Sequence, residues 1–253
     1  MATITPANDA YGRELWAYQK EGHAQEIVER DDGFISASDW PERYFADFNA
    51  WPAHERRSMR FVQGSRALDI GCGAGRASLD LQRRGLKVTA IDNSPFAIRL
   101  CRKRGVKDAR VLAVEHIARL EPASFDTVVM FGNNFGLFGS FARARRLLRR
   151  LHRLTSPDAV VLAESLNPYG NRVAAHLRYR RRNRERDRMG GQIRIRIRFE
   201  EFKGPWFDYL LVSLSEMKAI LAGTGWRVRE VLKSSDGPVY VAVIVKVPRP
   251  QSR

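Results

Sequence analysis

The chain lacks the features that would hold it in a membrane, cross-link it or build a metal centre into it. No uninterrupted apolar run reaches the roughly 18 residues that a membrane span needs. The opening stretch MATITPANDAYGRE also lacks the basic-then-apolar pattern of a secretory leader. A soluble, cytoplasmic protein with no membrane partner is the expectation. The two cysteines, Cys72 and Cys101, are too few for a disulfide framework and suit a reducing compartment. The five histidines are scattered without the spacing of metal ligands, so no metal is expected.

Positive charge is abundant. Lys and Arg number 44 against 28 Asp and Glu, a formal charge of +16. Such a balance raises the prospect of a polyanionic partner or an acidic substrate. With 253 residues and 44% apolar content, the chain can bury one sizeable core. One structural domain with insertions is therefore expected.

The organising stretch is RALDIGCGAGR, residues 66–76, a short apolar strand running into a glycine-rich turn and then a helix. Gly71 and Gly73 permit a tight turn with no Cβ to block a ligand, and Gly75 permits close strand–helix packing. Amides at the following helix start face the ligand's polar groups. Asp69 ends the strand, where a carboxylate meets a ligand ammonium. A second strand, KVTAI, ends in Asp92, about 20 residues after Gly71, the position of an acid that accepts hydrogen bonds from ribose hydroxyls. One acid for an amine and one for a ribose suit S-adenosylmethionine better than a nicotinamide dinucleotide.

LDIGCGAGR followed by VTAIDNSP resembles the first motif and acidic loop of the class I S-adenosylmethionine-dependent methyltransferases, and the strand pattern extends the resemblance over about residues 60–247. It implies a Rossmann-like, doubly wound α/β fold with S-adenosyl-L-methionine as cofactor. Asp69, Gly71 and Gly73 would surround the methionine moiety together with Cys72, Asp92 would take the ribose, and Asn93 and Phe96 would border the adenosine. Glu115 and His116, at the end of the third strand ARVLAV, correspond to where the family places an acid near the adenine amino group, although the usual Gly-Asp pattern is absent. Phe131, the last residue of the fourth strand FDTVVMF, and Asn133 in the loop after it complete the cofactor set.

The remaining chain divides into four stretches. Residues 1–60 predict a helical cap or lid, with one helix over Tyr11–Val28 and another starting at Asp39; Tyr11, Tyr18 and His23 are its polar candidates for the substrate. Residues 61–166 form the cofactor-binding core, in which strands alternate with helical patterns and so imply a parallel sheet. Its helix SFARARRLLRRLHRL turns Phe141, Leu147, Leu148, Leu151 and Leu154 to the sheet and Arg143, Arg146, Arg150 and Arg153 outward. The loop GNNFG, at the carboxyl end of a strand, makes Asn134 a substrate candidate. It departs from the Asn-Pro-Pro-aromatic signature of enzymes that methylate exocyclic amines of bases.

Residues 167–210 predict an arginine-rich insertion. Within it, Ile193, Ile195 and Ile197 alternate with Arg194, Arg196 and Arg198, a half-buried strand with a cationic outer face. KGPWFDYLLV returns as its antiparallel partner, making Trp206 and Tyr209 candidates for the substrate pocket or for the hairpin core. Residues 211–253 finish the core. Two strands there, joined without a helix, require the last to run antiparallel, giving seven strands in all.

The favoured activity is methyl transfer by in-line displacement to a nucleophile of a small molecule, with no catalytic base identified. An RNA methyltransferase using the basic insertion is the second choice. A non-catalytic S-adenosylmethionine-binding module is the third.

Overall fold

The computed structural model describes residues 3–38, 41–170, 172–235 and 237–248. The expected helix start at Asp39 lies outside them.

The central sheet grows from the strand of the glycine motif. β3 (Arg66–Ile70) lies between β4 (Lys87–Asp92) and β6 (Phe125–Met130), β5 (Asp108–Val111) extends one side, and β7 (Thr155–Leu166) extends the other. These five strands are parallel. Beyond β7, the hairpin of β11 (Trp226–Lys233) and β12 (Val239–Lys246) completes seven strands, with β12 antiparallel to both neighbours. Strands buried on both faces read as near-continuous apolar runs, which is why VYVAVIVK and FDTVVM needed no alternation. The observed order, β11-β12-β7-β6-β3-β4-β5, reverses beside β3 and so opens a crevice at the carboxyl ends of the strands.

Helices cover the sheet as their caps direct. α3 (Arg76–Arg83) follows the glycine turn. α4 (Pro95–Lys103) starts at Ser94, whose hydroxyl accepts from the Ala97 amide, with Pro95 in the first turn. α5 (Phe141–Leu154) buries Ala144, Leu147, Leu148, Leu151 and Leu154. Phe141 departs from the expected stripe: it sits at the first helical position and is 40% exposed. α7 (Leu214–Leu221) opens on a capping box between Ser213 and Glu216.

The N-terminal segment differs most from the sequence reading. α1 (Ala10–Glu21) ends at Gly22, which adopts φ +76°, and the chain leaves as a strand, β1 (Glu26–Arg30), where the helix was expected to continue to Val28. A turn at Gly33 leads to β2 (Ile35–Ser38). Short 3-10 turns over Pro41–Tyr44 and Phe48–Ala50 and the helix α2 (Ala53–Ser58) complete the approach to β3. The segment is thus half β, because EIVER finds a partner that local periodicity does not reveal.

That partner is the insertion. After α6 (Ala174–Arg184), β8 (Gln192–Phe199) pairs antiparallel with β10 (Phe207–Leu210) on one side and with β1 on the other, and β9 (Phe202–Lys203) closes back on β8. The isoleucines of β8 face inward as expected. On its outer face Arg196 and Arg198 pair with Glu29 at 2.9 and 3.3 Å, and Arg194 lies 3.8 Å from Asp208. This small sheet roofs the crevice of the large one.

Candidate active site

Between floor and roof lies a cavity of about 700 Å³. Its floor is the glycine loop. The amides of Gly71 and Cys72 both donate to the Ile91 carbonyl, at 2.8 and 3.1 Å, which ties the turn to β4. Asp92 then holds the loop from the side: Oδ2 accepts from the Gly73 amide at 3.1 Å and Oδ1 from the Ser94 amide at 2.9 Å. Each carboxylate oxygen has a further lone pair for a ligand. Asp69, next to the end of β3 and 3% exposed, accepts from the Ser78 hydroxyl at 2.6 Å. Burial raises both aspartates to about 6, against the pull of these hydrogen bonds. Beneath the loop, the Cys72 and Cys101 sulfurs are 3.6 Å apart, and the Cys101 thiol donates to the Gly73 carbonyl. Their hydrogen bond and burial push the Cys72 thiol well above its ordinary value.

Gly71 has φ +73°, and a Cβ there would collide with the Asn134 amide. Gly71→Ala is expected to cost about 1–3 kcal/mol in backbone strain alone. The collision adds to this, so its melting temperature should fall further than that of Gly85→Ala, where φ is +89° but the space is open. Thermal melts of the two variants side by side check this.

Ten of the residues singled out from sequence line the cavity: Asp69, Gly71, Cys72, Asp92, Asn93, Phe131, Asn133, Asn134, Tyr11 and Tyr209. Asn133 is held at φ +62°, and its buried Oδ1 has no hydrogen-bond partner among the described residues. Asn134 has a different task from the expected substrate contact. Its amide nitrogen donates to the carbonyls of Ile70 and Gly71, at 3.0 and 2.8 Å, and so staples the glycine loop to β3. The Tyr209 hydroxyl donates to the Asn133 carbonyl at 2.6 Å and fastens the roof to this same turn.

Others stand apart. Gly73 contributes its amide to Asp92 but does not line the cavity; a Cβ on it would come within 2.6 Å of the Tyr11 hydroxyl. Phe96 lies under α1, where its carbonyl accepts from the Trp16 indole. The third strand ends at Val111, earlier than expected, so Glu115 and His116 fall on a following 3-10 turn over Val114–Arg119. There Glu115 pairs with Arg143 at 2.5 Å and His116 is exposed. Tyr18 packs on Phe45, His23 is exposed, and Trp206 lies against the Arg196 guanidinium.

The structure also contributes residues that periodicity did not single out. Asp9 caps α1 through the Gly12 amide and accepts from the Ser94 hydroxyl and Phe96 amide, which pins the roof helix to α4. An aspartate just before a helical run was the available signal. Glu26, Val28, Tyr44, Phe207 and the three isoleucines of β8 form the upper walls. Beside the floor, His54, Glu55 and Glu164 converge, with potential ligand atoms within 4.8 Å of one another. The histidine spacing gave no hint of this cluster, because Glu164 comes from the end of β7. The Arg76 guanidinium grips Glu55 through two hydrogen bonds of 2.6 and 2.7 Å, supplying the positive charge a divalent cation would otherwise bring.

A family profile described as a methyltransferase domain matches residues 68–163, the stretch holding the glycine loop, Asp92 and the turn after β6. Residues 68–163 thus match a methyltransferase domain, and the fold around them is the Rossmann-like one expected of the class I S-adenosylmethionine-dependent methyltransferases. Around that domain, the similarity to curated proteins is partial. A ubiquinone biosynthesis O-methyltransferase of Xanthomonas euvesicatoria is 46% identical over 72 residues, 26% of this chain and 30% of that protein. The protein of the same name from Xanthomonas oryzae is 32% identical over 111 residues, 42% of this chain and 45% of that one. The chain thus spans less than half the length of these relatives. In fold the match is broader. A methyltransferase from Bacteroides fragilis, solved with S-adenosyl-L-homocysteine, superposes with a TM-score of 0.81 over 98% of both chains at 24% identity. The methyltransferase domain therefore occupies the floor, and the roof is a further part of a shared fold.

Proposed function

We propose that the protein transfers a methyl group from S-adenosyl-L-methionine to a hydroxyl of an apolar small molecule. The observation that carries this reading is the division of the cavity: a polar floor at the glycine loop and an apolar roof over the same space. The floor fits the cofactor. Asp69 and the orphaned Asn133 Oδ1 are acceptors for an ammonium or amine, and Asp92 has lone pairs to spare for ribose hydroxyls. The volume suits small ligands rather than a nucleic acid strand.

The cofactor supplies a methyl group already activated on a sulfonium. The chain's own part is to hold the acceptor in line and exclude water. Ile193, Ile195, Ile197, Val28 and Phe207 do this by presenting apolar surface above the floor. The curated relatives are named as O-methyltransferases, which favours oxygen as the methylated atom. Much of the positive charge is engaged away from the cavity, in pairs such as Arg143–Glu115 and Arg196–Glu29. Among the described residues no helix is long and apolar enough to cross a membrane. The two cysteines are free, and we place the enzyme in the cytoplasm.

Calorimetric titration of nuclease-treated protein tests the donor: saturable binding of S-adenosyl-L-homocysteine and none of NADH is expected. Turnover of 4-hexylcatechol, followed by methylated product, tests the acceptor class. Methylation of added RNA alone, with affinity falling steeply in salt, would overturn the small-molecule reading.

A further inference from the structure

The acceptor half of the cavity contains a carboxyl pair that the cofactor assignment leaves unused. Glu26 opens β1 and lines the cavity, and Glu14 projects from α1 beside it. They are 7% and 1% exposed, and each acts on the other's titration. Two buried carboxyls so placed do not both ionise readily, so the pair holds a proton. One oxygen of each, Oε2, has no partner among the described residues. Buried polar atoms are almost always satisfied, and a carboxyl proton shared within the pair supplies the missing donor.

The surroundings keep this pair near neutrality. Tyr11 on α1, Tyr44 in the 3-10 turn and Tyr209 on β10 all feel the Glu26 charge, and Asp92 on β4 acts on Tyr11 from the other side. None of the groups acting on either carboxyl is a cation. The arginines of β8 point to the opposite face, where Glu29 holds two of them. Burial, and for Glu14 also the neighbouring Glu26 charge, therefore holds both carboxyls well above the usual carboxylate range. A base with its proton affinity near the working pH is the effective one.

The pair also stands within reach of the floor. Tyr11 spans the gap: its hydroxyl abuts Gly73 of the glycine loop, and its ring packs edge-on against Tyr44 at 5.6 Å. An acceptor lying under the isoleucines of β8 would thus have the loop on one side and Glu26 on the other.

We infer that Glu26, with Glu14 behind it, takes the proton of the acceptor hydroxyl as the methyl group is transferred. The inference rests on the methyl-transfer reading above. As the acceptor oxygen bonds to the methyl carbon, the carbon–sulfur bond breaks and its electron pair stays on sulfur. The hydroxyl proton passes to the Glu26 carboxylate, so the lost sulfonium charge and the lost carboxylate charge balance. Glu14 is a positioning residue: the proton shared within the pair keeps Glu26 oriented.

Infrared difference spectroscopy and kinetics on the full chain test this together. At pH 7.5 the wild type should show the carbonyl band of a protonated buried carboxylic acid, and Glu14→Gln and Glu26→Gln should each alter or remove it. Glu26→Gln should reduce kcat for 4-hexylcatechol at least 100-fold while leaving the affinity for S-adenosyl-L-homocysteine unchanged. Glu14→Gln should retain most of the rate, and the pH profile of kcat/KM should lose one of the two ionisations that belong to the pair. A wild type that binds S-adenosyl-L-homocysteine but lacks the acid band overturns the inference, as does full activity in Glu26→Gln. Failure of the wild type to bind S-adenosyl-L-homocysteine would instead remove the methyl-transfer reading beneath it. Glutamine is isosteric and neutral at these sites, so both variants should fold.

Discussion

Replacing Asp92 by alanine is expected to weaken binding of S-adenosyl-L-homocysteine about 100-fold or more and to lower the melting temperature as well. A hydrogen bond to a charged acceptor contributes about 1.5–3 kcal/mol, and a ribose offers two hydroxyls. Losing about 3 kcal/mol corresponds to roughly a hundredfold in affinity. The structure assigns Asp92 a second task, because its two oxygens already accept from the amides of Gly73 and Ser94. Alanine strands both donors in a buried site, at about 1–3 kcal/mol each. For a chain of this size, that is a fall of roughly 5–15 °C. Asp92→Asn, which keeps one acceptor oxygen, should lose less stability but much of the affinity. Calorimetric titration and differential scanning calorimetry separate the two effects. Wild-type affinity in a folded Asp92→Ala protein would remove the ribose assignment.

Arg76→Met should be the most destabilising of these substitutions, at about 3–5 kcal/mol. The guanidinium is held by both oxygens of Glu55, lies over the Trp51 ring at 4.7 Å, and stands near Glu164. Without it, Glu55 and Glu164 face each other as like charges, 2% and 5% exposed. Burial and the Glu164 charge already raise Glu55 to about 7, against the lowering pull of Arg76; removing Arg76 raises it further. A carboxyl raised in the folded state gives its full stabilisation below its unfolded value, and this is lost as pH rises through the folded value. The deficit of Arg76→Met should therefore be smaller near pH 5 than at pH 8. Melting temperatures across that range check the sign. A deficit that does not change with pH would mean that Glu55 is not the group left exposed to its neighbour.

The floor of the site was legible in the sequence because it is local. Asp69, Gly71 and Gly73 lie within one turn, and Asp92 follows one βα unit later, so spacing alone brings them together. The seven strands were legible for a similar reason: each is a short apolar run bounded by glycine or a cap. The roof was not. EIVER has a strand's composition only once β8 lies beside it, and nothing in residues 26–30 signals a partner near residue 197. Neither spacing nor composition therefore singles out Glu26 and Glu14. Glu115 and His116 stand outside the cavity for the opposite reason. A family position was carried over to a strand that here stops at Val111, and the following turn gives Glu115 to Arg143.

The pairing of Ile27 with Arg198 and of Arg30 with Ile195 joins the two ends of this chain's architecture across most of its length. Contacts so distant in sequence carry the full entropy of closing a long loop, whereas the floor assembles from neighbouring βα units. During synthesis, the glycine loop and Asp92 are made well before β8 emerges, while β1, paired with β2 on one side, waits for a partner on the other. The cofactor cradle is thus complete before the acceptor chamber exists, and the last strands of the roof to be made decide when the site first becomes enclosed.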